Sequence, residues 1–258
     1  MREATLVPDW PAPPRVRAFT TTRTLPGNSL PPYDAFNLGL RSGEEEATVR
    51  ANRALLERAF ALPSAPRWLH QVHGTDVAEF NTLFTSPPVG EVDARSAAGE
   101  GGDAAFTSAP GVVLAIQTAD CLPILVCASD GSEIAAIHAG WRGLAAGVIE
   151  RCLERMAAPR EKLLIWLGPA IGAASYEVGD EVRAAFVERD AGASAAFAAT
   201  RPRHWQCDLY ALARRRLAAL GLTRIFGGGF DTFTDTRFYS YRRDGARSGR
   251  FASLIWID

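Results

Sequence analysis

An α+β fold of stacked layers is what this sequence predicts, and three observations carry the prediction. Short, continuous, β-branched runs crowd the middle of the chain between residues 112 and 167, the mark of strands covered on both faces. Strand-like runs outnumber helical ones and do not strictly alternate with them, which disfavours a doubly wound parallel sheet. The 258 residues, 47% hydrophobic and 22% charged, suffice for a sizeable core, and neither a linker nor an internal repeat divides them, so one domain over 1–258 is expected.

Taken in order, residues 8–43 are rich in Pro, Gly, Thr and Asn and read as short strands and ordered loops. A first helix is expected to start at Ser42, with Glu45 completing a capping box. Val49, Leu55, Leu56, Ala59 and Phe60 would lie on its inner side, and Pro63 would end it. Ser86 to Gly102, with prolines, glycines and small or acidic residues, reads as an exposed loop. Strands are expected at Val112–Ile116, Leu122–Val126, Ile134–Ile137 and Leu163–Leu167. A helix over 144–157 would present Val148, Ile149, Cys152, Leu153 and Met156 to the sheet. Two more helices are placed at Asp180 to Asp190 and from Asp208 as N-cap to Gly221, and Phe251–Ile257 closes the chain as a strand.

Composition narrows the function. With 28 basic against 29 acidic groups the formal net charge is -1, and the basic residues are scattered, so no nucleic-acid partner is expected. Lysine chemistry is improbable with a single lysine, Lys162, and no GxxxxGK[ST] motif is present. Met1–Trp10 carries an acid and a proline where a signal peptide needs an apolar run, and Gly111–Ala128 is too interrupted to cross a bilayer. The expectation is therefore a cytoplasmic protein without a membrane partner. The four cysteines are expected as thiols or metal ligands rather than disulfides.

Three segments gather the scarce reactive residues: Gln71-Val72-His73-Gly74, Thr118-Ala119-Asp120-Cys121 and His138-Ala139-Gly140-Trp141-Arg142-Gly143. Cys121 precedes one strand and His138 follows the next, 17 positions on (138 minus 121), so an antiparallel pair would bring both to one sheet edge. His73 is expected from a third strand, with Gly74 permitting a close turn. Two nitrogens and one sulfur from three segments leave one position open, which suits a catalytic zinc site. From spacing alone the metal signal is weak, and each residue taken singly reads first as a satisfied surface or core residue, with Cys121 as a small buried hydrophobe. Arg142, flanked by Gly140 and Gly143 before a helix, suggests an anion site or a structural ion pair. Cys127 and Cys152 read as packing, and His204 and Cys207 as loop residues.

Larger blocks then carry a family resemblance. Phe19-Thr20-Thr21-Thr22-Arg23, Pro32-Tyr33, Asn37-Leu38-Gly39, QVHG at 71–74, TADCLP at 118–123, HAGWRG at 138–143, LGPAIG at 167–172, YEVG at 176–179 and SYRRDG at 240–245 resemble, in order, the YfiH-like, laccase-domain family. The resemblance implies a single-domain α+β fold in α/β/β/α layers with mixed sheets. It implies a purine nucleoside phosphorylase acting on adenosine, inosine and methylthioadenosine, with adenosine deaminase activity, and zinc held by His73, Cys121 and His138, with copper as the other candidate ion.

Under that reading purine nucleosides and phosphate are the partners. Arg142 is the first choice for phosphate, with Arg23 or Arg242-Arg243 assisting. Gln71 and Asn37 are candidates for base or ribose, and Asp120 or Asp76 for a proton shuttle. The pattern is broken at Thr24-Leu25-Pro26-Gly27 and Asp231, neither of which touches the three ligands. The laccase label implies several coppers and roughly ten histidines, whereas this chain has four. Two other functions stay open: a thiol hydrolase using Cys121 and His138 on an amide such as a peptidoglycan precursor, and a non-catalytic purine-binding module. The oligomeric state also stays open, a monomer being compatible.

Overall fold

The computed structural model describes residues 4–81 and 102–258. Of the loop expected at 86–102, only Gly102 falls within them. The chain runs β1 (Val16–Thr20), α1 (Glu46–Phe60), β2 (Arg67–Trp68), β3 (Val77–Glu79), β4 (Ala104–Thr107), β5 (Leu114–Thr118), β6 (Leu122–Ala128), β7 (Ile134–Ala139), α2 (Trp141–Ala146) and α3 (Val148–Arg155). It continues with β8 (Leu163–Leu167), β9 (Glu177–Gly179), α4 (Asp180–Val187), β10 (Phe197–Arg201), β11 (His204–Cys207), α5 (Leu209–Ala219), β12 (Ile225–Gly227), α6 (Tyr241–Asp244) and β13 (Phe251–Ile257).

Two mixed sheets stack between helices. One has the order β1-β13-β5-β2 and the other β12-β8-β6-β7-β4-β3; a small third sheet, β10-β11-β9, lies beside them. The period-two alternation of the strands builds the layers. On β6, Ile124 and Val126 face the helices with Val148 and Ile149 of α3 and Leu212 of α5. The intervening Leu125 and Cys127 face the other sheet, meeting Leu114 and Ile116 of β5 and Ile255 of β13. On the far side of that sheet, Ala115, Leu254 and Trp256 pack under Leu56 and Phe60 of α1. The result is the α/β/β/α order, and each fully buried Leu or Ile contributes about 1.5–3 kcal/mol.

Strands 163–167 and 251–257 fall where the sequence places them. The strand expected at 112–116 runs 114–118, because its ladder with β13 pairs Ile255 with Leu114 and Phe251 with Thr118. The first helix begins at Glu46 rather than Ser42, whose hydroxyl instead takes hydrogen bonds from the Asn37 amide (2.7 Å) and the Glu44 backbone (3.4 Å). Asp208 does cap α5, accepting from Ala211 N at 2.9 Å. The helix expected over 144–157 starts at Trp141 and is split by Gly147 at φ 103°, so Gly143 lies inside α2. His204 and Cys207 belong to β11, not to a loop. Among the described residues no helix is long and apolar enough to cross a membrane.

Candidate metal centre and its cleft

Antiparallel pairing of β6 with β7 sets Leu122 opposite Ala139 and Pro123 opposite His138, so Cys121 and His138 meet at one edge, as their spacing predicts. His73 arrives differently from expectation. It lies on the turn between β2 and β3, not on a strand, and it is His73 itself that takes the left-handed conformation, at φ 63°. Glycines clear the way for it. A Cβ on Gly140 would lie 2.8 Å from His73 Cδ2 and 3.0 Å from Cys121 Sγ, and one on Gly143 would lie 2.8 Å from the Gly74 carbonyl. Both glycines that the sequence suggested for an anion site thus also leave room for the approach of the 71–74 segment.

Asp103 ties two of the three segments together, 71–74 and 138–143. Fully buried, its carboxylate accepts from the backbone N–H groups of Val72 (3.2 Å), His73 (2.9 Å) and Gly74 (2.6 Å), and from His138 Nδ1 at 2.7 Å. Its own carbonyl accepts from His138 N at 2.6 Å. With Nδ1 committed to Asp103, Nε2 of His138 is the ring nitrogen left to bind a metal, and the orientation of the ring is set.

The donor atoms of His73, Cys121 and His138 all lie within 4.8 Å of one another, and Cys121 Sγ stands 3.7 Å from His73 Nε2. A tetrahedral zinc with bonds of about 2.0–2.1 Å to nitrogen and 2.3 Å to sulfur has an N to S edge of about 3.5 Å, so these residues fit such an ion. Burial opposes ionisation of Cys121, but the charge and hydrogen bonds of His138 and His73 outweigh it and hold the thiol down at about 6. Burial likewise opposes charge on His138, while Cys121 and Asp103 push it up to about 9. Asp103 is held below the usual carboxylate range, because His138 and the Gly74 and His73 N–H groups outweigh its burial. Without a metal, both shifts favour a thiolate at Cys121 beside a protonated His138, and the thiolate is the form a borderline-soft ion takes.

The cluster opens into a cleft of about 570 Å³, lined by Arg41, Arg142, Arg242 and Arg250 and by the rings of Trp141, Tyr176 and Tyr241. Arg142 is exposed, its guanidinium lying 4.3 Å from the centre of the Trp141 ring. Arg242 lies over Tyr176 at 5.2 Å and donates to the Glu177 carbonyl. The remaining sequence candidates divide. Gln71 lines the cleft, but its amide bridges the backbone N–H and carbonyl of Gln117, extending the edge of β5. Asp120 also lines it, at φ 93°, with one carboxylate oxygen taking Thr232 Oγ1 and the other Arg242 N, both at 2.7 Å. That places Asp120 as the holder of the Arg242 turn.

Arg23 is not part of the lining: Asp34 and Asp244 hold it at 3.3 and 3.5 Å, and it stacks on Tyr239. Asn37 is fully buried behind the cleft wall. Arg243 pairs with Asp244 and caps the carbonyls of Thr232, Phe233 and Phe238. Among the described residues Asp76 meets the site through its backbone carbonyl, which accepts from Asp103 N. Sequence reasoning missed Asp103, Arg41 and Arg250. Tyr176 and Tyr241 were within reach of it, lying inside the YEVG and SYRRDG blocks.

The chain is similar to known proteins over most of its length. Residues 17–258 match the family described as multi-copper polyphenol oxidoreductase laccase. A protein of Xylella fastidiosa (strain Temecula1) named purine nucleoside phosphorylase is 52% identical over 258 residues, covering 98% of this chain and 96% of that protein. The Escherichia coli K12 protein named purine nucleoside phosphorylase YfiH is 48% identical, with 98% of each chain covered. A crystal structure of a Neisseria meningitidis protein superposes with a TM-score of 0.88 at 39% identity, over 99% of both chains.

Proposed function

The chain belongs to the laccase-domain family of the YfiH proteins, and on that premise we propose that it is a purine nucleoside phosphorylase. Its substrates would be adenosine, inosine and S-methyl-5′-thioadenosine, with adenosine deamination as a side activity, at a mononuclear zinc site for which copper is the alternative ion. One observation carries this reading: a two-histidine, one-cysteine donor set opens directly into a cleft with four arginines and three aromatic rings.

Phosphorolysis joins a phosphate oxygen to C1′ of the ribose and breaks the bond from C1′ to the purine nitrogen. The electron pair leaves with the purine, which is then protonated. Arginine guanidinium groups in the cleft balance the charge of the phosphate and hold it against C1′. Aromatic faces at Trp141, Tyr176 and Tyr241 give the base flat apolar surfaces. Asp103 keeps the His138 ring and the His73 turn in register, and Asp120 keeps Arg242 in the wall. Held by His73, Cys121 and His138, zinc would supply a Lewis acid where negative charge develops. One three-residue cluster among the described residues, in a chain of four histidines, supports a single ion rather than a multicopper centre.

Incubation with inosine, with and without phosphate, tests the reading. Hypoxanthine and ribose 1-phosphate are expected only when phosphate is present; hypoxanthine release independent of phosphate overturns it. A thiol hydrolase is the second reading, favoured by the chain from Asp103 through His138 to the Cys121 thiolate, an arrangement that also activates a nucleophile. Metal content separates the two, because a thiolate committed to zinc is a poor nucleophile.

A further inference from the structure

Arg250 is held unlike the other arginines of the cleft. Its backbone N–H donates to Asn37 Oδ1 at 2.8 Å, the same oxygen that takes the Gly39 N–H at 2.9 Å. Asn37 is itself fixed from behind, its amide nitrogen donating to Ser42 Oγ and Glu44 Oε2. Gly39 leaves room for the arginine stem: a Cβ there would lie 2.5 Å from Arg250 Cγ. At the head, Nη1 donates to the carbonyls of Ser248 (2.7 Å) and Gly249 (2.8 Å), which fixes the guanidinium plane. Nε and Nη2 have no hydrogen-bond partner among the described residues, and no carboxylate there is in salt-bridge contact with Arg250. Burial pulls this arginine below its ordinary pKa, and the groups that oppose the fall are led by Cys121 and Asp120, so its charge is felt at the metal cluster.

A half-buried, immobilised cation that no carboxylate among the described residues contacts, lining a cleft, calls for an anionic ligand. We propose that Arg250 is the anion anchor of this cleft, its Nε and Nη2 edge forming the fork that receives the phosphate co-substrate. Arg142, exposed and restrained by one ring, is the outer contact, and Arg23 takes no part. The role of that phosphate in turnover rests on the phosphorylase reading; the anion site does not.

The test has two readouts on wild type, Arg250→Met, Arg250→Lys and Arg142→Met, each first checked for zinc content and melting temperature. Calorimetric titration with inorganic phosphate, against chloride at matched ionic strength, reads binding. Inosine turnover reads the Michaelis constants of phosphate and inosine separately. For Arg250→Met phosphate affinity is expected to fall about tenfold or more, with a matching rise in phosphate KM and an inosine KM within about twofold of wild type. Arg250→Lys, which keeps the charge but not the fork, should recover part of the loss, and Arg142→Met should lose less than Arg250→Met.

Wild-type phosphate binding by Arg250→Met overturns the assignment, as does a larger effect at Arg142 or a wild type that binds no phosphate. If Arg250→Met does not fold, Arg250→Lys decides, an unchanged phosphate affinity counting against the fork. Should binding depend on Arg250 while inosine cleavage ignores phosphate, the anion site stands and the phosphorylase reading falls.

Discussion

Cys121 and Cys127 stand at opposite ends of β6, one just before its first residue and the other just before its last. Cys127 lies in the seam between the two sheets, fully buried among Leu114, Ile134 and Leu164, and burial pushes its thiol up to about 12. Cys121 is held down at about 6 by two histidines that outweigh its burial. Cys152, on the buried face of α3, and Cys207, at the end of β11, are shifted like Cys127. One residue type at the two ends of one strand thus has its thiol pushed up where packing closes around it and held down where three chain segments converge. The difference teaches that the site is made by the turns at the sheet edge, with Asp103 clasping the 71–74 turn to His138, and that the strand only delivers the residue.

The largest expected break in that contrast comes from Cys121→Ser. Zinc affinity and inosine turnover should fall by more than the roughly 10–100-fold typical of changing a ligand's hydrogen-bond partner. Elemental analysis after dialysis against a chelator, alongside a turnover assay, reads both. Asp103→Asn should come next, weakening zinc binding about 10–100-fold in chelator competition. It should also lower the melting temperature, because three backbone N–H groups lose their shared carboxylate.

A titration sharpens the contrast without a mutation. In metal-free protein the Cys121 thiol is protonated below about pH 6 and a thiolate above it, so its alkylation rate should rise through that pH and level off by pH 8. Cys127, Cys152 and Cys207 should stay unlabelled across the range, and added zinc should protect Cys121. Mass spectrometry of iodoacetamide-treated protein distinguishes the four. The smallest effect is expected at Cys127→Ala: about 1 kcal/mol of stability lost in a denaturant titration, with zinc content and turnover unchanged.

What was legible in the sequence follows the same division. The β6–β7 pair could be read from local apolar runs, and the distance from Cys121 to His138 placed both at one edge because an antiparallel pair has only one way to do so. Asp103 carries no local signal: it follows a glycine-rich stretch, and its partners lie at 72–74 and 138. Arg23 lies in a quoted motif and Arg250 in none, yet Asp244, 221 positions away, draws Arg23 off the cleft while Asn37 holds Arg250 in it. The β9–β11 sheet was missed because its strands are three to five residues long and mostly not buried, so alternation has nothing to mark.

The central claim is that the cluster of His73, Cys121 and His138 performs phosphorolysis in the arginine-lined cleft. Product analysis of inosine turnover by wild type and Cys121→Ala, side by side in phosphate buffer, tests it most directly. Equal amounts of hypoxanthine and ribose 1-phosphate from the wild type, and neither from the variant, are the result this account predicts. Free ribose in place of ribose 1-phosphate, or undiminished turnover by the variant, would contradict it.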